Sequence, residues 1–297
     1  MEFNDYIRAL RLPFTAASAL PFIAGSFLAR GRFGFFDFLL GLIAAVSGHL
    51  GANLINDYAD SRSGVDWGDK RFYGFFGGSK LIQEGLVEEK FYLRLSFVFF
   101  GLGFFSVIGL AFRLKSVSIL FYYVLIAFLA FSYSYRPLRF SYRRLGEFVI
   151  FLLFGPAAAM GGYFIQTKLF PDAESFLLSL PFGFFTTAIL FSNEVPDYDQ
   201  DRAGNKLTWV SITGKENAFL LYYVLVAMGF ISLLANIFYG QLGIIAGLSF
   251  LLIPLAVRAG RILKSFPDDK ARLMESSRLT VMLQALAGIG IILGIVI

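Results

Sequence analysis

The chain has 297 residues, of which 57% are hydrophobic and 16% charged, with a net charge of +5. That apolar content excludes an ordinary soluble domain, the lack of cysteine excludes disulfides and thiolate chemistry, and a single histidine excludes a polyhistidine metal site. The modest positive balance reads as loop charge facing anionic lipid, with no nucleic-acid partner implied.

Nine stretches approach or reach the length of about 20 residues that a bilayer crossing needs. In chain order they cover 12–29, 36–55, 92–112, 117–134, 146–165, 175–193, 216–236, 240–260 and 277–296. The first follows Asp5, Arg8 and Arg11 and lacks a small-residue cleavage site, so no cleaved signal is expected. The second ends in Asn53-Leu54-Ile55-Asn56-Asp57-Tyr58-Ala59-Asp60, and a long polar connection follows over 56–91. The Gly74 to Ser79 run in that connection reads as a flexible turn. The sixth stretch ends in Asn193-Glu194-Val195-Pro196-Asp197-Tyr198-Asp199-Gln200-Asp201. The two motifs recur at the ends of stretches two and six, which hints at a repeated half-structure. The expectation is an all-α polytopic protein, one domain over 1–297.

Charge orients it. Arg30, Arg32, Arg113, Lys115 and Lys168 fall on one side, and all the other lysines and arginines, 21 of 26, on the opposite side. The positive-inside rule puts the rich side, with the N-terminus and both acid motifs, in the cytoplasm. Nine crossings then send Ile297 to the other face.

Ionisable groups at a membrane are expensive and default to a functional reading. If the second stretch stays helical past Ile55, residues 53, 56, 57 and 60 share one face. Asn53 and Asn56 then offer amide oxygens, Asp57 and Asp60 carboxylates, and Asp66 follows beyond Gly64. Asn193, Asp197 and Asp201 have a strict four-residue spacing, while Asp199 points elsewhere. Pro196 is expected to kink that helix or start a new turn. Clustered carboxylates repel unless a cation neutralises them. Mg2+ takes one or two carboxylates plus waters and phosphate oxygens. Two half-sites facing each other suit two Mg2+ ions holding a diphosphate. Arg71, Lys80, Arg136, Arg139 and Lys206 are the basic candidates for its oxygens, with Asn53, Asn56 and Asn193 beside them. His49, one turn before Asn53, offers a base or a substrate contact, with a hydrogen-bonded packing role as the competing reading. A cation-coupled transporter is the competing class. It predicts acids near mid-membrane on broken helices, whereas these lie at the cytoplasmic end before basic loops.

Asn56-Asp57-x-x-Asp60 with a following Asp, and Asp197-x-x-x-Asp201, resemble the paired signatures of the UbiA superfamily of intramembrane prenyltransferases. The resemblance covers nearly the whole chain. Gly64-Val65-Asp66, Gly77 through Gly85, Leu145-Gly146-Glu147 leading to Phe154-Gly155-Pro156 and Gly162-Tyr163, and Gly204 through Thr208 are similar to the 1,4-dihydroxy-2-naphthoate polyprenyltransferases of menaquinone synthesis. There are departures. Gly64 stands where many relatives have a third acid, Tyr135-x-x-x-Arg139 has Arg for Lys, and 67–76 fits no pattern. The resemblance implies a nine-helix bundle with a catalytic cavity on its cytoplasmic side. It implies Mg2+ on Asn56, Asp57, Asp60, Asp66, Asp197 and Asp201, a polyprenyl diphosphate donor, and an aromatic acceptor attacking an allylic cation beside Tyr135. The acceptor alternatives are 4-hydroxybenzoate, homogentisate, another naphthoate or a lipid alcohol.

Overall fold

A computed structural model describes residues 3–297. A short helix α1 (Phe3–Leu10) leads into α2 (Ala16–Leu28), α3 (Phe35–Ser63), α4 (Glu89–Leu114) and α5 (Ser118–Ser134). There follow α6 (Gly146–Thr167), α7 (Ala173–Ala203), α8 (Ala218–Phe238), α9 (Ile244–Ser265) and α10 (Lys270–Val296). Seven of these, α3, α4 and α6 to α10, are long and apolar enough to cross a membrane, and Leu12–Leu28 and Ser118–Ser134 are shorter apolar helices. All nine expected stretches are therefore helical.

The bundle follows from where the side chains are covered. α7 is the most enclosed helix and packs on α8 and α10. Leu178, Phe182, Phe185 and Phe191 of α7 join Tyr222, Leu233, Leu283 and Ile291 in the larger core. A second core joins Phe22, Val107, Leu110, Ile119 and Ile165 from α2, α4, α5 and α6. A third, of Ala9, Leu54, Leu81, Ile82 and Tyr92, fixes the long α3–α4 connection beneath the bundle. Phe105, Phe112, Phe121 and Leu251 point outward and stay exposed, which suits a lipid surround in which only the backbone must be satisfied internally.

α2 and α6 approach closely because glycines leave room. A Cβ at Gly25 would lie 1.8 Å from the Ala159 carbonyl oxygen, and one at Gly162 would lie 2.2 Å from that of Phe22. Small residues at such crossings let membrane helices pack backbone to backbone. In α6 the α-helical pattern widens to a π segment over Leu153–Ala157, where Pro156 has no amide hydrogen to give.

The helix lengths place the acids. α3 has 29 residues and α7 has 31, so at 1.5 Å per residue each exceeds the hydrocarbon core by about ten angstroms or more. Both acid motifs ride on these overhanging last turns. α7 runs unbroken through Pro181 and Pro196. No new helix starts at the expected Pro196 break; the helix continues past it.

Candidate active site

The overhanging ends of α3 and α7 face one another, and the α3–α4 connection threads between them. Gly64 ends α3 with φ +87°, and the chain turns back through Val65–Trp67, so Asp66 returns toward the acids it follows. Gly77 and Gly78 hold φ of +73° and +78°. These left-handed residues aim alternate amides at opposite motifs. The Gly77 amide donates to Asp197 Oδ2 at 2.9 Å, and the Ser79 amide donates to Asp57 Oδ2 at 3.0 Å. The glycine run expected to be a flexible turn is thus the strap joining the two motifs.

Asp57, Asp60, Asp66 and Asp201 each carry a cationic partner, while Asp197 accepts from the Gly77 amide. Arg11 pairs with Asp57. Lys80, buried, donates from Nζ to Asp66 Oδ1 at 2.9 Å and to its carbonyl at 3.0 Å. Lys206 Nζ lies 3.0 Å from Asp60 Oδ2 and 3.5 Å from Asp201 Oδ1, so one ammonium spans both motifs. The Tyr142 hydroxyl donates to Asp60 Oδ1 at 2.7 Å. Asn56 donates to Ser134 Oγ at 2.7 Å and to Asp60 Oδ2 at 3.3 Å. Burial pushes the Asp66 carboxyl up to about 7, with Asp60 adding to the rise and Lys80 opposing it. Burial by itself would lower the Lys206 ammonium, but Asp201 and Asp60 outweigh it and hold it well above its ordinary range.

The donor set fits hard cations. A Cβ added at Gly78 would lie 2.9 Å from Asp66 Oδ2 and 3.5 Å from Asp57 Oδ1, so these two carboxylates converge on one cradle that only glycine leaves open. The side-chain oxygen of Asn193 is buried without a hydrogen-bond partner. Among the described residues, no three acidic or histidine side chains enclose an ion by themselves. Mg2+ with one or two protein carboxylates draws its remaining ligands from water and phosphate oxygens.

Inward from the acids lies a cavity of about 230 Å³. Arg11, Asn53 and Asn56 stand at its polar end, and Phe22, Leu110, Ile119 and Ile165 line it further along. Tyr133 lines this cavity, whereas Tyr135, expected beside a cation, does not. α5 ends at Ser134, and Tyr135 turns extended and stacks on Tyr58. Tyr135, Arg136 and Arg139 line a second cleft of about 270 Å³, with Arg62 and Ser63. Arg139 stacks over Tyr142 at 3.5 Å, one ring away from Asp60. Arg71 is exposed and lies over Tyr73, and its backbone amide bonds to Asp69. The structure shows no bond from Arg71 to the paired acids, and its guanidinium lies over Tyr73 instead. Asp199, also exposed, pairs with Lys215 away from the site.

Sequence reasoning missed Arg11, Ser79 and Tyr142. It also passed over Glu147, which is buried and accepts from the Trp209 amide beside Glu194.

The whole chain can now be set beside known proteins. The model of the UbiA prenyltransferase family matches residues 18–284. The chain belongs to the UbiA prenyltransferase family. It is accordingly a prenyltransferase and a multi-pass membrane protein. UbiA prenyltransferase domain-containing protein 1 of Xenopus tropicalis is 27% identical, over 98% of this chain and 81% of that protein. The 1,4-dihydroxy-2-naphthoate octaprenyltransferase of Bacillus subtilis is 24% identical, over 89% of this chain and 84% of that enzyme. In fold, the chain is similar to a UbiA homolog from Archaeoglobus fulgidus bound to DMAPP and Mg2+. The TM-score is 0.67 at 16% identity, over 97% of this chain and 99% of that one. The competing transporter reading needs broken helices, and both acid-bearing helices here are continuous.

Proposed function

We propose that this chain transfers a polyprenyl group from its diphosphate to 1,4-dihydroxy-2-naphthoate, with loss of carbon dioxide, in menaquinone biosynthesis. The observation that carries the reading is the convergence of both acid motifs on one glycine strap at the mouth of one apolar cavity. The name of the Bacillus subtilis relative and the resemblance of the Gly77 to Gly85 run to that branch favour this acceptor. Asp57, Asp60, Asp66, Asp197 and Asp201, with the Asn56 oxygen, would hold two Mg2+ ions. Bound there, Mg2+ supplies charge neutralisation for the departing diphosphate.

The chain's own groups do the rest. Lys80 and Lys206 stand between the carboxylates and are placed to turn to phosphate oxygens once the acids take metal. Asn53, at the polar end of the cavity, and Asn193, whose buried oxygen has no partner, are assigned to the same diphosphate. Arg136 and Arg139, behind Tyr142, reach the outer phosphate from the second cleft. Arg71 has no part in this assignment. Tyr133 replaces Tyr135 as the ring beside the allylic carbon, where its face favours positive charge. The prenyl chain lies along the apolar wall of the cavity. We assign nine crossings, the seven long helices and the two shorter apolar ones, to a single catalytic domain. The acid side is cytoplasmic and Ile297 lies on the opposite face.

The test is direct. Purified protein is incubated with Mg2+, 1,4-dihydroxy-2-naphthoate and prenyl diphosphates of several lengths, and product is read by mass. Decarboxylated prenyl naphthoquinol from wild type, and none from an Asp60→Ala, Asp197→Ala double variant, is the expected result. Turnover only with another ring or a lipid alcohol would replace the acceptor, and equal product from the variant would remove the acids from the mechanism.

A further inference from the structure

Beyond Asn53 the cavity is apolar, with one built exception on α3. His49 is 8% exposed and faces this cavity. Its Nδ1 lies 3.0 Å from the Oγ of Ser18 on α2, and its ring meets Phe154 edge-on at 4.7 Å. Ser18 Oγ also lies 3.1 Å from the Thr15 carbonyl oxygen, to which it donates. A hydroxyl has one hydrogen and a carbonyl has none, so both contacts are made only when the serine proton goes to Thr15 and the histidine proton sits on Nδ1. That tautomer leaves the Nε2 lone pair unshared on a residue that lines the cavity. Three neighbouring donors are already engaged. Tyr122 donates to the Ala157 carbonyl at 3.0 Å, Tyr123 donates to that of Phe100 at 2.8 Å, and Asn53 donates to that of Leu10 at 3.4 Å.

A prenyl tail gives no reason for a lone basic nitrogen held in a fixed tautomer. A hydroxylated ring does. His49 precedes Asp57 by eight residues of one helix, about 12 Å at 1.5 Å per residue. A diphosphate held at Asp57 places its first prenyl carbon part-way along that interval. The remainder fits a ring carbon about 3 to 3.5 Å from the prenyl carbon, the adjacent ring carbon that carries the hydroxyl, and a hydroxyl hydrogen bond of about 2.8 Å.

Resting on the proposed transfer to an aromatic acceptor, we infer that His49 Nε2, fixed by Ser18, binds the acceptor's ring hydroxyl and takes its proton during transfer. The O–H proton passes to Nε2 and gives imidazolium. The freed oxygen electrons raise the nucleophilicity of the conjugated ring carbon, which bonds to the first prenyl carbon. The bond from that carbon to the diphosphate oxygen breaks, and its electron pair leaves on the diphosphate. The ring carbon then releases carbon dioxide, or passes its proton to a departing diphosphate oxygen, and the ring oxygen recovers its proton from imidazolium.

The experiment compares wild type, His49→Phe and His49→Gln with Mg2+, a prenyl diphosphate, 1,4-dihydroxy-2-naphthoate and the two mono-O-methyl ethers of that ring. Thermal stabilisation by Mg2+ with prenyl diphosphate reports donor binding separately. We expect this stabilisation to be unchanged in both variants. His49→Phe is expected to lower kcat/KM for the free naphthoate by about 100-fold or more. His49→Gln keeps a hydrogen-bond acceptor but no base, so acceptor KM stays within a few-fold while kcat falls at least about tenfold. On the ether that blocks the relevant hydroxyl, wild type and variants converge. A kcat/KM for His49→Phe within threefold of wild type overturns the inference, as does an equal loss on both ethers, or His49→Gln losing donor stabilisation together with turnover. Wild type that binds donor but prenylates no ring overturns the proposed function and the inference with it.

Discussion

Replacing Lys206 by Met tests whether the two acid motifs form one charge-balanced site. Lys206 is 15% exposed in its side chain, against 7% for Asp60 and 4% for Asp201. Removing it leaves two buried carboxylates without their shared cation. Asp60 keeps the Tyr142 hydroxyl and the Asn56 amide, but Asp201 loses its ion-pair partner. Breaking a buried ion pair by removing one partner costs about 3–5 kcal/mol. Near 2 °C per kcal/mol for a large chain, the expected fall in Tm is roughly 6–10 °C. The assay is thermal denaturation in detergent at pH 7, with and without Mg2+. Mg2+ is expected to raise Tm more in the Met variant than in wild type, because the ion no longer competes with an ammonium for the same oxygens. A fall under about 2 °C, or a full fall that Mg2+ does not reduce, would refute the shared-cation account.

Gly78→Ala puts a methyl group 2.9 Å from Asp66 Oδ2 at a residue with φ +78°. It should cost about 1–2 kcal/mol in backbone strain and about 100-fold in kcat/KM for prenyl diphosphate, read by pyrophosphate release. Gly25→Ala must move α2 away from α6, since its Cβ would lie 1.8 Å from the Ala159 carbonyl oxygen. The expected cost is about 1–3 kcal/mol, seen as a lower Tm. Lys270→Met removes the 2.7 Å contact that ties the α3–α4 connection at Asp69 to α10. Burial would raise the Asp69 carboxyl, but the Lys270 bond, the Arg71 amide and Tyr73 outweigh it and hold it below its ordinary value. The stabilisation is therefore present above pH about 4 and is lost as pH falls through the depressed value. With both side chains about a quarter exposed, the pair contributes at most about 1 kcal/mol. The Tm gap between variant and wild type should close in acid.

The helices were legible because twenty-residue apolar runs have few alternative uses, and the acids stood out because charge is costly at a membrane. The local geometry of each motif was legible too, since helical spacing fixes which residues share a face. What joins the motifs was not. Arg11 reaches Asp57 across 46 positions, Gly77 reaches Asp197 across 120, and Tyr142 reaches Asp60 across 82. No periodicity encodes such contacts, and Arg11 looked like ordinary loop charge. The positive φ of Gly77 and Gly78 turns a flexible-looking run into a strap, a distinction visible only once its amides have partners. Tyr133 and Tyr135 illustrate the limit at a helix end. Two residues apart at the close of α5, they line different cavities, and the exchange of one for the other depends on where α5 stops.

The central claim is that both acid motifs bind one metal–diphosphate unit. The most direct measurement counts ions. Equilibrium binding of Mn2+, in place of Mg2+, is measured with and without a non-cleavable prenyl thiodiphosphate, in wild type and in an Asp197→Asn, Asp201→Asn variant. Two ions per chain only when the analogue is present, falling to one in the variant, is the predicted result. Two ions retained in the variant, or binding indifferent to the analogue, would contradict it.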